Sequence, residues 1–237
     1  MKVYALFCFI VLTHFVFGQD LTVSDVILDE LKTVVIETEK DTFILCVHYP
    51  NGYNPQKSYK AFIGLSGGDQ SLKVVNYCYA AWFRSGYFNK HITIMPVVDR
   101  DTINFKDFDS DQVTDLLNGI NEHFNLEAGW LIAGTSNGGN AAFNFVSVDP
   151  KRFEGLIVAP GMLSDSIEVN SDWSHLNMVL AYGQKDNKMW IDSAKKTGKQ
   201  LKKLVNSVEV VELVDQGHIL TISFNVDKIY DPYFLKK

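Results

Sequence analysis

From about residue 60 onward the chain alternates short apolar runs with stretches in which apolar residues recur at helical spacing. The runs Lys60 to Leu65, His91 to Val98, Gly129 to Ala133, Gly155 to Ala159, Met178 to Tyr182 and Val208 to Val214 read as strands. The stretches near Asn76 to Arg84, Ser110 to Phe124, Asn137 to Val148, Met189 to Val205 and Ile219 to Ile229 read as helices. This alternation predicts an α/β domain, a mostly parallel sheet covered by helices on both faces. Ahead of it, Thr33 to Glu39 and Thr42 to Tyr49 flank Lys40-Asp41, which predicts an antiparallel hairpin at one sheet edge and a total of about eight strands. Pro50 to Pro55 reads as a loop, Asp109 or Ser110 with Gln112 offers a capped helix start, and Asp149-Pro150 stops the third helix.

One stretch departs from plain strand-and-helix alternation. In Trp130 to Phe143 an apolar strand runs into Gly134-Thr-Ser136-Asn-Gly138-Gly139 and straight on into a helix. Glycines two residues either side of a serine suit a sharp strand-to-helix turn, where the two arms nearly collide and leave no room for Cβ atoms. Such a turn lifts the serine hydroxyl out of the sheet and aims the first helical N–H groups, beginning with Asn137, at any oxygen bound beside it. Gly139 would let helix and strand pack closely. An ordinary tight βα turn uses the same residues, so the rest of the chain has to decide.

A serine hydroxyl needs a base, and the base works best when a buried carboxylate holds it. In the elbow arrangement these follow in the order serine, acid, histidine. Downstream of Ser136 stand His175 and His218. His218, in Asp215-Gln-Gly-His218, lies just past the last predicted strand, at its carboxyl end where α/β sites collect their groups; His175 precedes a strand, at the opposite edge. Asp186 follows the next-to-last strand and is the favoured acid, ahead of Asp215 and Asp172; alone it would read as a helix cap. Ser136, Asp186 and His218 are therefore the candidate catalytic residues. The loop Leu65-Ser-Gly67-Gly68-Asp-Gln70 is placed to supply a second oxyanion donor, for which Gly68 N–H joins Asn137 N–H. No lysine and serine or threonine follow it at phosphate-loop spacing. Tyr77, Trp82 and Trp190 fall near loops at the same edge, where lining a pocket and filling the core are equally good readings.

Length and charge narrow the picture. Met1-Lys2, an apolar stretch from Val3 to Phe17 and Gly18 have the three regions of a secretory signal peptide, so residues 1–18 are expected to be removed and residues 19–237 to form one domain. The apolar stretch is too short for a comfortable membrane span. A secreted, periplasmic or extracellular location is expected, without stable membrane insertion after cleavage. Of the three cysteines, Cys8 lies in the leader; Cys46 in a strand and Cys78 in a helix read as two buried free thiols. The net charge of −6 and the absence of a basic patch argue against a nucleic-acid partner.

With Gly134-Thr-Ser136-Asn-Gly138-Gly139, the Gly67-Gly68 loop, Asp186 and Gln216-Gly217-His218 in place, the chain resembles the α/β-hydrolase superfamily over nearly all of its length beyond the leader. The serine-asparagine-glycine-glycine elbow and the glycine loop ending in Gln70 look like the secreted polyhydroxybutyrate-depolymerase and feruloyl-esterase-like carboxylesterases. It departs from that group at Ser66, where histidine is usual, and at Ile219, near a position often aromatic. The resemblance implies an α/β-hydrolase fold and a serine esterase acting through an acyl-enzyme on small or polymer-attached esters, with no metal and no organic cofactor. The short segment between Ala159 and Met178 leaves no room for a lid domain. A prolyl-oligopeptidase-type peptidase shares the elbow and triad order, although this chain has no room for a propeller; a non-catalytic binding module on the same fold is the remaining alternative.

Overall fold

The computed structural model describes residues 30–98, 103–221 and 224–235. The expected leader, residues 1–18, and the chain start at Gln19 lie outside the described residues. Strands β1 (Lys32–Glu37), β2 (Thr42–His48), β3 (Lys60–Leu65), β4 (His91–Val97), β5 (Trp130–Gly134), β6 (Phe153–Val158), β7 (Asn177–Gly183) and β8 (Ser207–Leu213) form one eight-stranded sheet in the order β1-β2-β4-β3-β5-β6-β7-β8. The hairpin β1-β2 and the pair β2-β4 are antiparallel; every other pair is parallel. Strand β5 is buried along its whole length, as its unbroken apolar sequence requires of a strand covered on both faces. The edge strands β1 and β8 are partly exposed and carry Lys32, Glu37, Glu209 and Glu212, charges that discourage pairing with another chain.

Helices α2 (Ser110–His123), α3 (Asn137–Val148) and α4 (Lys188–Leu201) cover one face; α1 (Leu72–Cys78) and α5 (Asp227–Phe234) cover the other. In α2 the apolar stripe Val113, Leu116, Leu117, Ile120 is buried in one core with Ile36, Leu45, Ile94 and Phe143, and its start is fixed by a capping box between Asp109 and Gln112. On the opposite face Val75, Trp82, Ile229 and Tyr230 share a core with Phe62, Met95, Leu131 and Ile157. Each such large apolar side chain stabilises the fold by roughly 1.5–3 kcal/mol. Between β6 and β7 the chain stays on the core, burying Trp173 and Leu176, with a single 3-10 turn at Ser171–Trp173.

Helix boundaries depart from expectation where packing overrides local preference. The first helix begins at Leu72 rather than Asn76 and, after Cys78, widens into a π-helical turn over Tyr79–Phe83, closed by Arg84 N–H on the Tyr79 carbonyl at 2.8 Å. The wider turn buries Tyr79, Trp82 and Phe83 together. The last helix, expected at Ile219 to Ile229, spans Asp227–Phe234 instead. Leu220 is drawn into the core and its carbonyl accepts from the Tyr77 hydroxyl at 2.7 Å, which takes it out of any helical ladder; the β-branched residues around it favour extended backbone. Asn225 Oδ1 then accepts the Asp227 N–H at 3.0 Å where the helix starts. Helix α5 runs through Pro232, with Tyr230 and Phe234 on either side of it packed against Tyr87 and Phe88. Helix α4 ends at Leu201, four residues before the expected Val205.

Cys46 and Cys78 are both buried and unbonded, as expected, and burial pushes each thiol up to about 11. His91 opens β4 nearly out of solvent, with its Nδ1 lacking a hydrogen-bond partner among the described residues. Burial first, then the neighbouring Lys60 charge, lowers its pKa to about 4, against a smaller opposing influence of Glu154. An unfolded histidine titrates near 6.5, so between pH 6.5 and 4 the unfolded chain binds the extra proton and stability falls as pH falls. We expect this group to cost about 3 kcal/mol of stability by pH 4. Urea unfolding of the wild type and His91→Phe across that range checks it; parallel pH profiles for the two proteins would refute it.

Candidate active site

Strand β5 ends at Gly134 and α3 begins at Asn137, so Thr135 and Ser136 make the whole turn. Ser136 has φ 54° and ψ −119°, a conformation rare for a residue with a side chain, and a local strain that the surroundings must hold. They do so from both sides: Thr135 N–H donates to the Leu65 carbonyl at 3.2 Å, and Ser136 N–H to the Pro160 carbonyl at 2.6 Å. The expected collision of the two arms is present. A Cβ on Gly134 would lie 2.1 Å from the Gly138 carbonyl oxygen, one on Gly138 2.1 Å from that of Leu65, and one on Gly139 2.4 Å from that of Pro160.

The loops after β7 and β8 are tied together before they reach the serine. Gln184 N–H donates to the Leu213 carbonyl at 3.0 Å and Lys185 N–H to the Gln216 carbonyl at 2.8 Å, while a Cβ on Gly183 would stand 2.2 Å from the Gly217 carbonyl oxygen. This brings Asp186 and His218 to one place. His218 Nδ1 lies 3.1 Å from each Asp186 carboxylate oxygen, and its Nε2 lies 3.0 Å from Ser136 Oγ. The Asp186 side chain is fully buried, and its Oδ1 also accepts the Asn187 N–H at 2.6 Å. With Nδ1–H given to the carboxylate, Nε2 is left to accept from the serine hydroxyl. Trp190 packs on the imidazole with ring centroids 4.9 Å apart. The competing residues are engaged elsewhere: His175 Nε2 meets the Phe153 carbonyl at 2.9 Å, Asp215 pairs with Lys185 at 2.9 Å, and Asp172 pairs with Lys151 at 3.5 Å.

The glycine loop after β3 lies against the elbow, close enough that a Cβ on Gly67 would touch Ser136 Cβ at 3.2 Å. Gly68 has φ +58°. Among the described residues neither the Gly68 nor the Asn137 N–H has a hydrogen-bond acceptor, which leaves both donors open. Two braces were not anticipated from the sequence. The Gly68 carbonyl accepts from the side-chain amides of Asn137 at 2.8 Å and Asn104 at 3.2 Å. Gln70, fully buried at φ 58°, donates Nε2–H to the Ser66 carbonyl at 3.0 Å and accepts the Phe105 N–H at 2.9 Å. Neither brace had a signal beyond an amide side chain beside a glycine turn. Asn137→Ala removes one of two clamps on the Gly68 peptide without touching a backbone donor. We expect about a tenfold loss in kcat, less than the loss of a whole donor, with KM and melting temperature held; steady-state kinetics and thermal unfolding check this.

A cavity of about 570 Å³ opens beside Ser136 and His218, between the glycine loop, α1 and residues 219–220. Tyr77 and Trp82 line it, together with Lys73, Val74, Ala81, Ile219 and Leu220; Trp190 sits on the histidine instead. Among the described residues no group of three or more His, Cys, Asp or Glu side chains is arranged to hold a metal ion, and no helix is long and apolar enough to cross a membrane.

No protein-family model and no curated protein matches the sequence. Solved structures do match its shape. FAE superposes with a TM-score of 0.64 at 14% identity, over 86% of this chain and 87% of FAE. A thermostable esterase gives 0.62 at 14% identity, over 79% of this chain and 55% of that one; Porphyromonas gingivalis dipeptidyl peptidase 4 gives 0.60 at 12% identity, over 87% and 34%. This chain thus spans about half the length of the esterase and a third of the peptidase. At such identities the likeness speaks for the backbone, and with the strand order, the antiparallel hairpin at one edge and the elbow after β5 it leads to one statement: the chain has the α/β-hydrolase fold.

Proposed function

We propose that this chain is a serine hydrolase that cleaves carboxylic esters through an acyl-enzyme on Ser136. The observation that carries the reading is the single line of contacts from Ser136 Oγ to His218 Nε2 at 3.0 Å and from His218 Nδ1 to Asp186 at 3.1 Å. In this mechanism Ser136 Oγ attacks the ester carbonyl as Nε2 takes its proton, and the buried Asp186 carboxylate steadies the imidazolium. The N–H groups of Asn137 and Gly68 stabilise the oxyanion. His218 then protonates the departing alcohol, and water, activated by the same nitrogen, releases the acid from the serine. The reaction so written calls on no metal and no organic cofactor. Esters, whether short-acyl, aryl or polymer-attached, are favoured over amides because solved esterases share the backbone of this chain over about four fifths of its length. The amino-terminal leader supports action outside the cytoplasm, with cleavage near Gly18.

A biotinylated fluorophosphonate should label the protein on Ser136, located by peptide mass, and p-nitrophenyl acetate should release p-nitrophenol in proportion to the unlabelled fraction. Turnover of aminoacyl amides without ester turnover would favour a peptidase, which the match to dipeptidyl peptidase 4 keeps in view. No labelling and no turnover would overturn the hydrolase reading.

A further inference from the structure

The cavity beside Ser136 is larger than an acetyl group needs. Its 570 Å³ falls within the range of about 300–1,000 Å³ typical of sites that enclose a whole small ligand. Val74, Ala81, Trp82, Leu220 and Ile219 give it an apolar wall, and the one lysine or arginine among its lining residues is Lys73, an exposed side chain at the cavity's edge. That lysine sits in the first turn of α1, where the helix ends with its partial positive charge and a carboxylate would be the stabilising choice. It forms no ion pair among the described residues. The nearby Asp69 carboxylate is taken up by the Ser71 N–H at 3.0 Å and the Ser71 hydroxyl, which hold it below its usual range with a smaller contribution from Lys73. An apolar cavity that has Ser136 on its lining and a lysine at its edge is complementary to a chain that is apolar along its length and anionic at its end.

Resting on the ester-hydrolase reading of the same site, we propose that this cavity takes the acyl arm of an ester with a medium-length apolar body and a terminal carboxylate, for which Lys73 is the specificity-determining counter-charge. The acyl arm is assigned because it stays on Ser136 through both halves of the reaction and gains most from a walled cavity, whereas the alcohol has to leave. The alternative role for Lys73, an aliphatic stem covering the apolar wall while its ammonium faces water, makes no use of the charge.

Replacing Lys73 by methionine keeps an unbranched stem and removes the charge, so it separates the two roles. With the p-nitrophenyl hemiester of octanedioic acid and p-nitrophenyl octanoate as a pair of equal length, the wild type should favour the hemiester about fivefold in kcat/KM, the scale of a partly exposed ion pair. Lys73→Met should bring that ratio to about one, Lys73→Arg should keep it, Lys73→Glu should reverse it, and 0.5 M salt should shrink it in the wild type. A wild-type ratio near one, or a preference that survives Lys73→Met, overturns the proposal. Calorimetry on Ser136→Ala protein gives a readout without turnover: monomethyl octanedioate should bind about fivefold tighter than the dimethyl ester, and the difference should vanish when Lys73→Met is added. That difference appearing without turnover of any ester would overturn the hydrolase reading and keep the anionic-ligand site; turnover without the difference would do the reverse.

Discussion

Ser136→Ala is expected to abolish ester turnover, with kcat falling on the order of 10⁶-fold, the scale seen when the nucleophile of a serine–histidine–carboxylate unit is removed. The size follows from the geometry. Ser136 Oγ is the atom that His218 Nε2 reaches at 3.0 Å, and Thr135, the other hydroxyl residue of the turn, is held by its N–H on the β3 side. Alanine retains the Cβ, so the unusual backbone at φ 54° and its hydrogen bond to Pro160 should persist, and His218, about one third exposed, can give its free nitrogen to water. The melting temperature should therefore stay within a few degrees of the wild type. Active-site titration with a fluorophosphonate, run beside p-nitrophenyl acetate kinetics on carefully separated preparations, makes the comparison. Turnover within tenfold of the wild type would rule out Ser136 as the nucleophile.

Gly138→Ala should act on the fold itself. The added methyl would stand 2.1 Å from the Leu65 carbonyl oxygen and 2.3 Å from that of Ser66, both backbone atoms at the end of β3 and the start of the glycine loop. Side chains can swing away from such an overlap; a central strand cannot, because β3 is paired with β4 on one side and β5 on the other. A loss of more than about 4 kcal/mol is expected, beyond the common range for single substitutions and large enough to leave little soluble native protein. Gly217→Ala is the internal control: a Cβ there meets nothing within 4 Å, and its urea midpoint should barely move. Equal midpoints for the two variants would show that the elbow is looser than its packing implies.

The sheet and the juxtaposition of Ser136, His218 and Asp186 were legible in the sequence for one shared reason. Buried parallel strands such as Trp130–Gly134 and Asn177–Gly183 must be apolar throughout, and an α/β domain puts chemistry at their carboxyl ends, so Ser136, Asp186 and His218 could be located by counting strands. Glycines forced by close backbone approach, Gly134 and Gly138, were equally readable. What escaped depends on contacts between distant segments. Leu220 leaves the predicted last helix because Tyr77, 143 residues away, takes its carbonyl. Gln70 and Asn104 look like ordinary polar loop residues until β4 and the segment after it bring the Phe105 N–H and the Gly68 carbonyl within reach. The π-helical turn at Tyr79–Phe83 answers to the aromatic cluster it feeds, which no local pattern encodes.

The bonds between the β7 and β8 loops divide the line of contacts from Ser136 to Asp186 unequally. Asp186 and His218 stand on two loops hydrogen-bonded to each other, while Ser136 belongs to the β5–α3 corner; strand β6 lies between them, paired to β5 on one side and β7 on the other. Strand β6 is thus a spacer whose width sets the gap between Ser136 and His218 and leaves the gap between His218 and Asp186 alone. Backbone hydrogen bonds hold neighbouring strands about 4.7–4.9 Å apart whatever side chains they carry, so the separation of Ser136 from His218 is a property of the sheet itself rather than of the residues around the site.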